Sequence, residues 1–362
     1  MIEWSSVRRV LVVRLRSIGD TVLATPSLVA LRRFLPDAKI DILLEGWVAP
    51  VLDGFYAVDR VIPIGKGATS RFKTARALRK TRYDAVFDLH GGTTASLIVR
   101  ATGARHRVGY SHYRYSSLYT ELLSSSADFW KQAVTHSAEQ QLALLGFAGI
   151  PVEDRPRTSL AVTEAALSSL QLKLNAETQR IGADLPLLIP AADNRSAVRD
   201  PRSAFALLHP SAAFATKQWP AENFARVSEY LAARGIKRVA IAAKHERAVL
   251  DRLAAASRVP VLTFDDLTLP EITALASKAK LFIGNDSGIA HIASAVNTPS
   301  VVIFGSSNRN HWRPWTDAPN EIVFHPLECQ PCPGYECKVF GEPRCILSVP
   351  PENVIAAIDR LL

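Results

Sequence analysis

Long apolar runs are missing from this chain. None of its 362 residues falls in an uninterrupted hydrophobic stretch approaching the roughly eighteen that a bilayer-spanning helix needs, so a membrane-embedded role through such a helix is excluded. Cysteine is scarce too, with four in all, which excludes a small scaffold held together by disulfides. No G-x-G-x-x-G follows any strand-like run, which argues against a nicotinamide or flavin dehydrogenase. No solenoid-type repeat is present. Acidic residues are outnumbered: 43 Lys and Arg against 34 Asp and Glu leave a formal charge of +9, which favours an anionic partner without choosing it. The chain passes from Met1-Ile2-Glu3 almost directly into a strand pattern and shows no secretory signal, so the expected compartment is the cytoplasm.

What is there is ordinary for a globular protein, at 48% hydrophobic and 21% charged residues, and long enough for two domains with separate cores. Short β-branched runs at 10–15, 40–44, 61–64 and 85–89 alternate with helical patterns, and the alternation restarts at 204–209, 239–242, 261–264, 281–283 and 301–304. Strands separated by helices imply mainly parallel sheets, so an α/β fold of two Rossmann-like domains is expected. The expected bounds are 1–175 for the first domain and 204–350 for the second. Residues 176–203, rich in Ala, Asp, Asn, Arg and Pro, read as a linker or surface excursion, and 351–362 as a C-terminal helix.

Several constellations carry chemistry. Gly284-Asn285-Asp286-Ser287-Gly288-Ile289-Ala290-His291 joins an apolar strand to a helix, so N–H groups and the positive end of the helix dipole converge where a phosphate fits. Asp286 reads as a cap for that helix or as a ligand for hydroxyls hanging from the phosphate; with both, a sugar nucleotide is suggested. Asp20, in Arg14-Leu15-Arg16-Ser17-Ile18-Gly19-Asp20, lies after the first strand, where a carboxylate serves as a general base or as a helix cap. Lys217, in Thr216-Lys217-Gln218-Trp219-Pro220, neutralises a diphosphate or is a solvated loop residue; Glu246 meets ribose hydroxyls or is exposed in a first helical turn. Residues 66–82 carry Lys66, Arg71, Lys73, Arg76, Arg79, Lys80 and Arg82 with no acid among them, and Arg107 follows amid tyrosines. That one-signed run suits an anion, and basic residues interleaved with tyrosines also fit single-stranded nucleic acid. The four cysteines, Cys329, Cys332, Cys337 and Cys345, have the spacing C-x2-C-x4-C-x7-C, which reads as a closed structural zinc site or as reduced thiols packed under the loop 329–345.

Together the Ser17-to-Asp20 turn, the Thr216-to-Pro220 box and the Asn285-to-His291 box resemble, in order and separation, glycosyltransferase family 9, the ADP-heptose:lipopolysaccharide heptosyltransferases. The resemblance implies a GT-B fold, two Rossmann-like domains facing across a cleft, and inverting, metal-independent transfer of heptose from ADP-heptose to a lipopolysaccharide inner-core acceptor. It implies Asp20 as base, Thr216 and Lys217 on donor phosphate, Glu246 on ribose, Leu267 near adenine, Asp286 on heptose hydroxyls, and the Ser287 and Gly288 N–H groups on the diphosphate. Arg71, Arg76, Arg79 and Arg107 are the expected contacts of an anionic glycolipid acceptor at the inner face of the cytoplasmic membrane; nucleic acid is not an expected partner. Arg14 stands where many members have lysine, and Gly305-Ser306-Ser307-Asn308 departs from the usual Gly-Pro-Thr-Asp. Another nucleotide sugar, as in a UDP-hexose transferase or epimerase, is the alternative donor.

Overall fold

In a computed structural model the chain divides into two compact units, Met1–Ala161 and Val162–Leu362, with residues 2–181, 205–332 and 334–362 described. The expected excursion at 176–203 lies outside the described residues from 182 onward. In the first unit six strands form one sheet: β1 (Arg9–Val13), β2 (Lys39–Glu45), β3 (Arg60–Ile64), β4 (Ala85–Asp88), β5 (His106–Tyr110) and β6 (Glu121–Leu123). Every pairing is parallel. β1 is buried from Val10 to Val13, which is why it reads as an unbroken apolar run: a parallel sheet is covered on both faces by its crossover helices. Leu11, Val13, Leu43, Val86, Ile98 and Val99 are among the residues of one core cluster there.

The second unit repeats the plan with β7 (Phe205–His209), β8 (Lys237–Ile241), β9 (Leu262–Phe264), β10 (Leu281–Asn285), β11 (Ser300–Phe304) and β12 (Asn320–Phe324), again all parallel. Its core gathers Trp219, Phe224, Leu250, Leu281, Ile283 and Ile303 around the central strands. Trp219 is fully buried, its ring N–H donating to the Val349 carbonyl at 2.9 Å and its backbone N–H to Asn285 Oδ1 at 3.1 Å.

The strand order is β3-β2-β1-β4-β5-β6 in one sheet and β9-β8-β7-β10-β11-β12 in the other. In each, the chain starts in the middle, winds outward to one side and returns to wind the other way. Connections leaving the two central strands diverge, so each sheet opens a crevice at the carboxyl ends of its central pair, β1/β4 and β7/β10. β5, β6 and β12 escape the sequence reading because they are short edge or near-edge strands whose polar residues interrupt the apolar run; β12 is only half-buried over most of its length.

The division between units falls before residue 162 and not at 175. The helix Glu164–Ile181 belongs to the second unit, with Leu170 and Leu174 buried. Ser169 donates to Glu271 Oε1 at 2.6 Å, and Lys173 reaches Glu271 at 3.1 Å and the Asp266 carbonyl at 2.8 Å. The helical period was present in the sequence, but nothing local said which core would receive it.

Gly305, at the end of β11, lies so close to the loop after β7 that an added Cβ would stand 2.1 Å from the Thr216 carbonyl oxygen and 3.1 Å from Ile346 Cβ. Backbone cannot yield as a flexible side chain does. Gly305→Ala is therefore expected to cost about 1–3 kcal/mol, read as a lowered denaturant midpoint; an unchanged midpoint would contradict the close approach.

Candidate active site

At the crevice of the second sheet, Lys217 sits at the end of the short helix Ala215–Lys217 after β7, and Asp286 directly follows β10. Their side chains meet at 2.7 Å, with Asp286 5% and Lys217 21% exposed, and the Ser307 hydroxyl also donates to Asp286. Asp286 thus does not cap the next helix, Gly288–Ala295. Ser287 is the N-cap, yet its side chain makes no capping bond; its hydroxyl lies 3.1 Å from His209 Nδ1. The first-turn N–H groups of that helix therefore have no side chain folded over them and remain available to an anion.

His209, at the end of β7, is a residue the sequence reading passed over. Burial pushes its imidazole down to about 4, with the Glu246 carboxylate pulling weakly the other way, so the ring is neutral. Glu246 ends the turn Lys244–Glu246 after β8, half-buried, its carboxylate accepting the Ala243 N–H at 3.0 Å. Leu267 is half-buried between β9 and the helix Leu269–Lys278. Both lie at the carboxyl edge, on the β7 side of the crevice.

Thr216 differs from expectation. It is buried, its hydroxyl donates to the Gly334 carbonyl at 3.1 Å and accepts from Ser306 at 3.0 Å, so it fastens the Cys-rich loop to the box instead of presenting an oxygen to a ligand. The zinc reading of that loop is not supported. Among the described residues no group of three or more His, Cys, Asp or Glu side chains is disposed to hold a metal ion. All four cysteines are free and line one apolar cavity of about 200 Å³. Burial, then the neighbouring Cys332, Cys329 and Cys337, push the Cys345 thiol up.

In the first sheet, Asp20 occupies the third position of the helix Ile18–Val22, with Ser17 as N-cap. Its Oδ2 accepts the Ser17 hydroxyl at 2.9 Å and the Ser17 N–H at 3.3 Å, and its other oxygen pairs with Arg14. Asp20 thus closes a helix start, and it stands at the β1/β4 crevice. Arg14, which directly follows β1, is buried and also donates to the Leu89 carbonyl at 2.9 Å. Across the crevice, Asp88 at the end of β4 is fully buried, its carboxyl raised by burial. It accepts the N–H groups of His90 and Gly91 at 2.8 and 2.9 Å and the Tyr119 hydroxyl, which fixes the turn.

The expected acceptor arginines do not stay together. The helix Ala68–Thr81 is a crossover running roughly 20 Å from the carboxyl edge of β3 back to the amino edge of β4. Arg71 lies in its first turn, on the crevice edge, and Arg76 midway. Arg79 lies in the last turn, at the opposite edge, beside Lys80, Arg82 and Arg105. Cations there complement the negative ends of Ala68–Thr81 and Thr93–Thr102 and need no acceptor to explain them. Arg107 is also structural: its guanidinium donates to the Leu118 and Ala104 carbonyls at 2.8 and 2.6 Å. Arg71, by contrast, has no polar side-chain partner among the described residues and sits with Lys66 at the positive end of a helix, where cations are disfavoured.

Each unit thus carries a parallel Rossmann-like sheet, with a carboxylate at one crevice and a cation beside an uncapped helix start at the other. The profile of glycosyltransferase family 9 (heptosyltransferase) matches residues 71–341, and the chain belongs to this family of lipopolysaccharide heptosyltransferases. It is a glycosyltransferase. Lipopolysaccharide heptosyltransferase 3 of Escherichia coli is 28% identical over 356 residues, covering 95% of this chain and 96% of the relative. The glycosyl transferase family 9 structure from Veillonella parvula DSM 2008 superposes with a TM-score of 0.78 at 19% identity, covering 98% of this chain and 97% of that one. E. coli ADP-heptose lps heptosyltransferase II superposes with a TM-score of 0.76 at 20% identity, covering 98% of both. These likenesses show the GT-B fold.

Neutral His209 makes stability depend on pH. An unfolded chain takes up a proton at His209 near pH 6.5, whereas the fold resists until about 4, so stability is lost as pH falls through that interval. The melting temperature is expected to drop between pH 7 and pH 4.5, less steeply in His209→Gln; identical slopes for the two proteins would show that the ring titrates freely in the fold.

Proposed function

We propose that this protein transfers heptose from ADP-heptose to the inner core of lipopolysaccharide, with inversion and without a divalent metal. ADP-heptose as donor is supported by the relationship to an ADP-heptose-using enzyme of the same fold. Lys217 and the N–H groups at Ser287 and Gly288 hold the diphosphate, Asp286 meets heptose hydroxyls, Glu246 faces the ribose and Leu267 the adenine. Asp20 takes the proton of an acceptor hydroxyl as that oxygen attacks the anomeric carbon. The bond from that carbon to the β-phosphate oxygen breaks through an oxocarbenium-like state. The leaving ADP carries its charge onto Lys217 and the helix end, fixed positive groups that need no reorganisation during the reaction. Lys66 and Arg71 attract the anionic acceptor at the inner face of the cytoplasmic membrane, where each exposed cation contributes on the order of 1 kcal/mol.

What carries the reading is that the family's motif residues collect at the crevice of each sheet: Asp20 beside β1/β4, and Lys217 with Asp286 spanning β7/β10.

Asp20→Asn tests it. The amide oxygen can keep the Arg14 contact while the amide N–H donates to the Ser17 hydroxyl, so the fold and ADP affinity are expected to survive while kcat falls by about two to four orders of magnitude. Near-normal kcat, measured with melting temperature and ADP affinity, would leave Asp20 a structural cap and overturn the mechanism.

A further inference from the structure

We propose that His90 is an acceptor-binding residue, its ring Nε2–H donating to a hydroxyl of the acceptor sugar beside the one that Asp20 deprotonates. The inference rests on the reading of Asp20 as base. His90 follows β4, so it stands across the crevice from the loop that carries Asp20. One guanidinium joins the two: Arg14 Nη2 pairs with Asp20, and Arg14 Nη1 lies 3.2 Å from His90 Nδ1. Arginine only donates, so Nδ1 must be the acceptor and the ring proton must sit on Nε2. That choice of tautomer follows from the contact itself.

Nε2–H then has no partner among the described residues, and the ring is half-buried at the crevice edge. Glycine at position 92 keeps its approach open, since a Cβ there would lie 3.2 Å from His90 Cδ2 and 3.3 Å from Nε2. The backbone beneath is pinned by Asp88 through the His90 and Gly91 N–H groups. The charged groups that face the ring are Arg14, Asp20, Arg16 and Glu45; burial first, then Arg14, pushes it down to about 4. A ring that stays neutral does not compete with Asp20 for the acceptor proton. It offers one oriented donor, which suits a polyhydroxylated sugar.

The test compares two variants with ADP-heptose and lipopolysaccharide truncated in its inner core. His90→Gln carries an amide N–H to about the place of Nε2, whereas His90→Asn keeps an acceptor for Arg14 but does not reach that place. Gln is expected to hold the acceptor KM within about threefold and Asn to raise it about tenfold or more, with ADP affinity unchanged in both. The reverse order, or an Asn variant with the wild-type acceptor KM, would mean that His90 only props Arg14 and would overturn the proposal. If either variant does not fold, wild-type protein carrying 15N-histidine decides: the His90 Nε2–H signal shifts on adding the truncated lipopolysaccharide and not on adding ADP, and no shift at saturation overturns the proposal. Failure of the Asp20 reading is seen separately, as a normal kcat in Asp20→Asn while the order of the His90 variants persists.

Discussion

The ion pair of Lys217 and Asp286, at 2.7 Å, closes the gap between β7 and β10, and the rest of the second unit's site is arranged around it. Burying two charges this far contributes little net stability, because desolvation offsets most of their attraction. What the pair supplies is position. Asp286, with Ser307 and Lys217 on it, is held off the helix that follows; Ser287 turns to His209; and the first turn of Gly288–Ala295 keeps its N–H groups uncovered. A cation, a carboxylate and a helix end thus share one crevice without neutralising one another entirely.

The same topology produces a different device in the first unit. There the cation and the carboxylate, Arg14 and Asp20, both leave β1, and the residue supplied from across the crevice is a neutral histidine. Arginine at position 14 matters here, because a fork with two donor nitrogens engages both Asp20 and His90, which a single ammonium does less readily. Buried Asp88 holds the histidine's backbone, and the hydroxyl of Tyr119 in turn holds Asp88, so the crevice wall is stiffened from within the core.

The basic run between 66 and 82 shows how one linear signal divides in space. As a stretch of sequence it is uniform. Folded as a crossover helix it has two ends of opposite polarity at opposite edges of the sheet: Arg79 and its neighbours rest against negative helix termini, while Lys66 and Arg71 crowd a positive one. Only the second arrangement asks for an outside anion. The cysteines are a parallel case, since a spacing compatible with zinc became a rim around an apolar cavity once the loop was tied down by Thr216 and Ser306.

The alternation of apolar runs and helical periods was enough to determine the fold class, because parallel strands covered on both faces must read as unbroken Val, Ile and Leu segments. The boxes around Asp20, Lys217 and Asp286 were likewise legible, because each is a strand end, a turn and a helix start in consecutive residues. Partners remote in sequence were not. Whether Arg14 reached His90, whether Thr216 faced a ligand or the Gly334 carbonyl, and which core took the helix Glu164–Ile181 were decided by the order in which strands pair. That order depends on non-local burial, which no local pattern encodes, and it is what sets a charge beside a partner or leaves it facing a crevice.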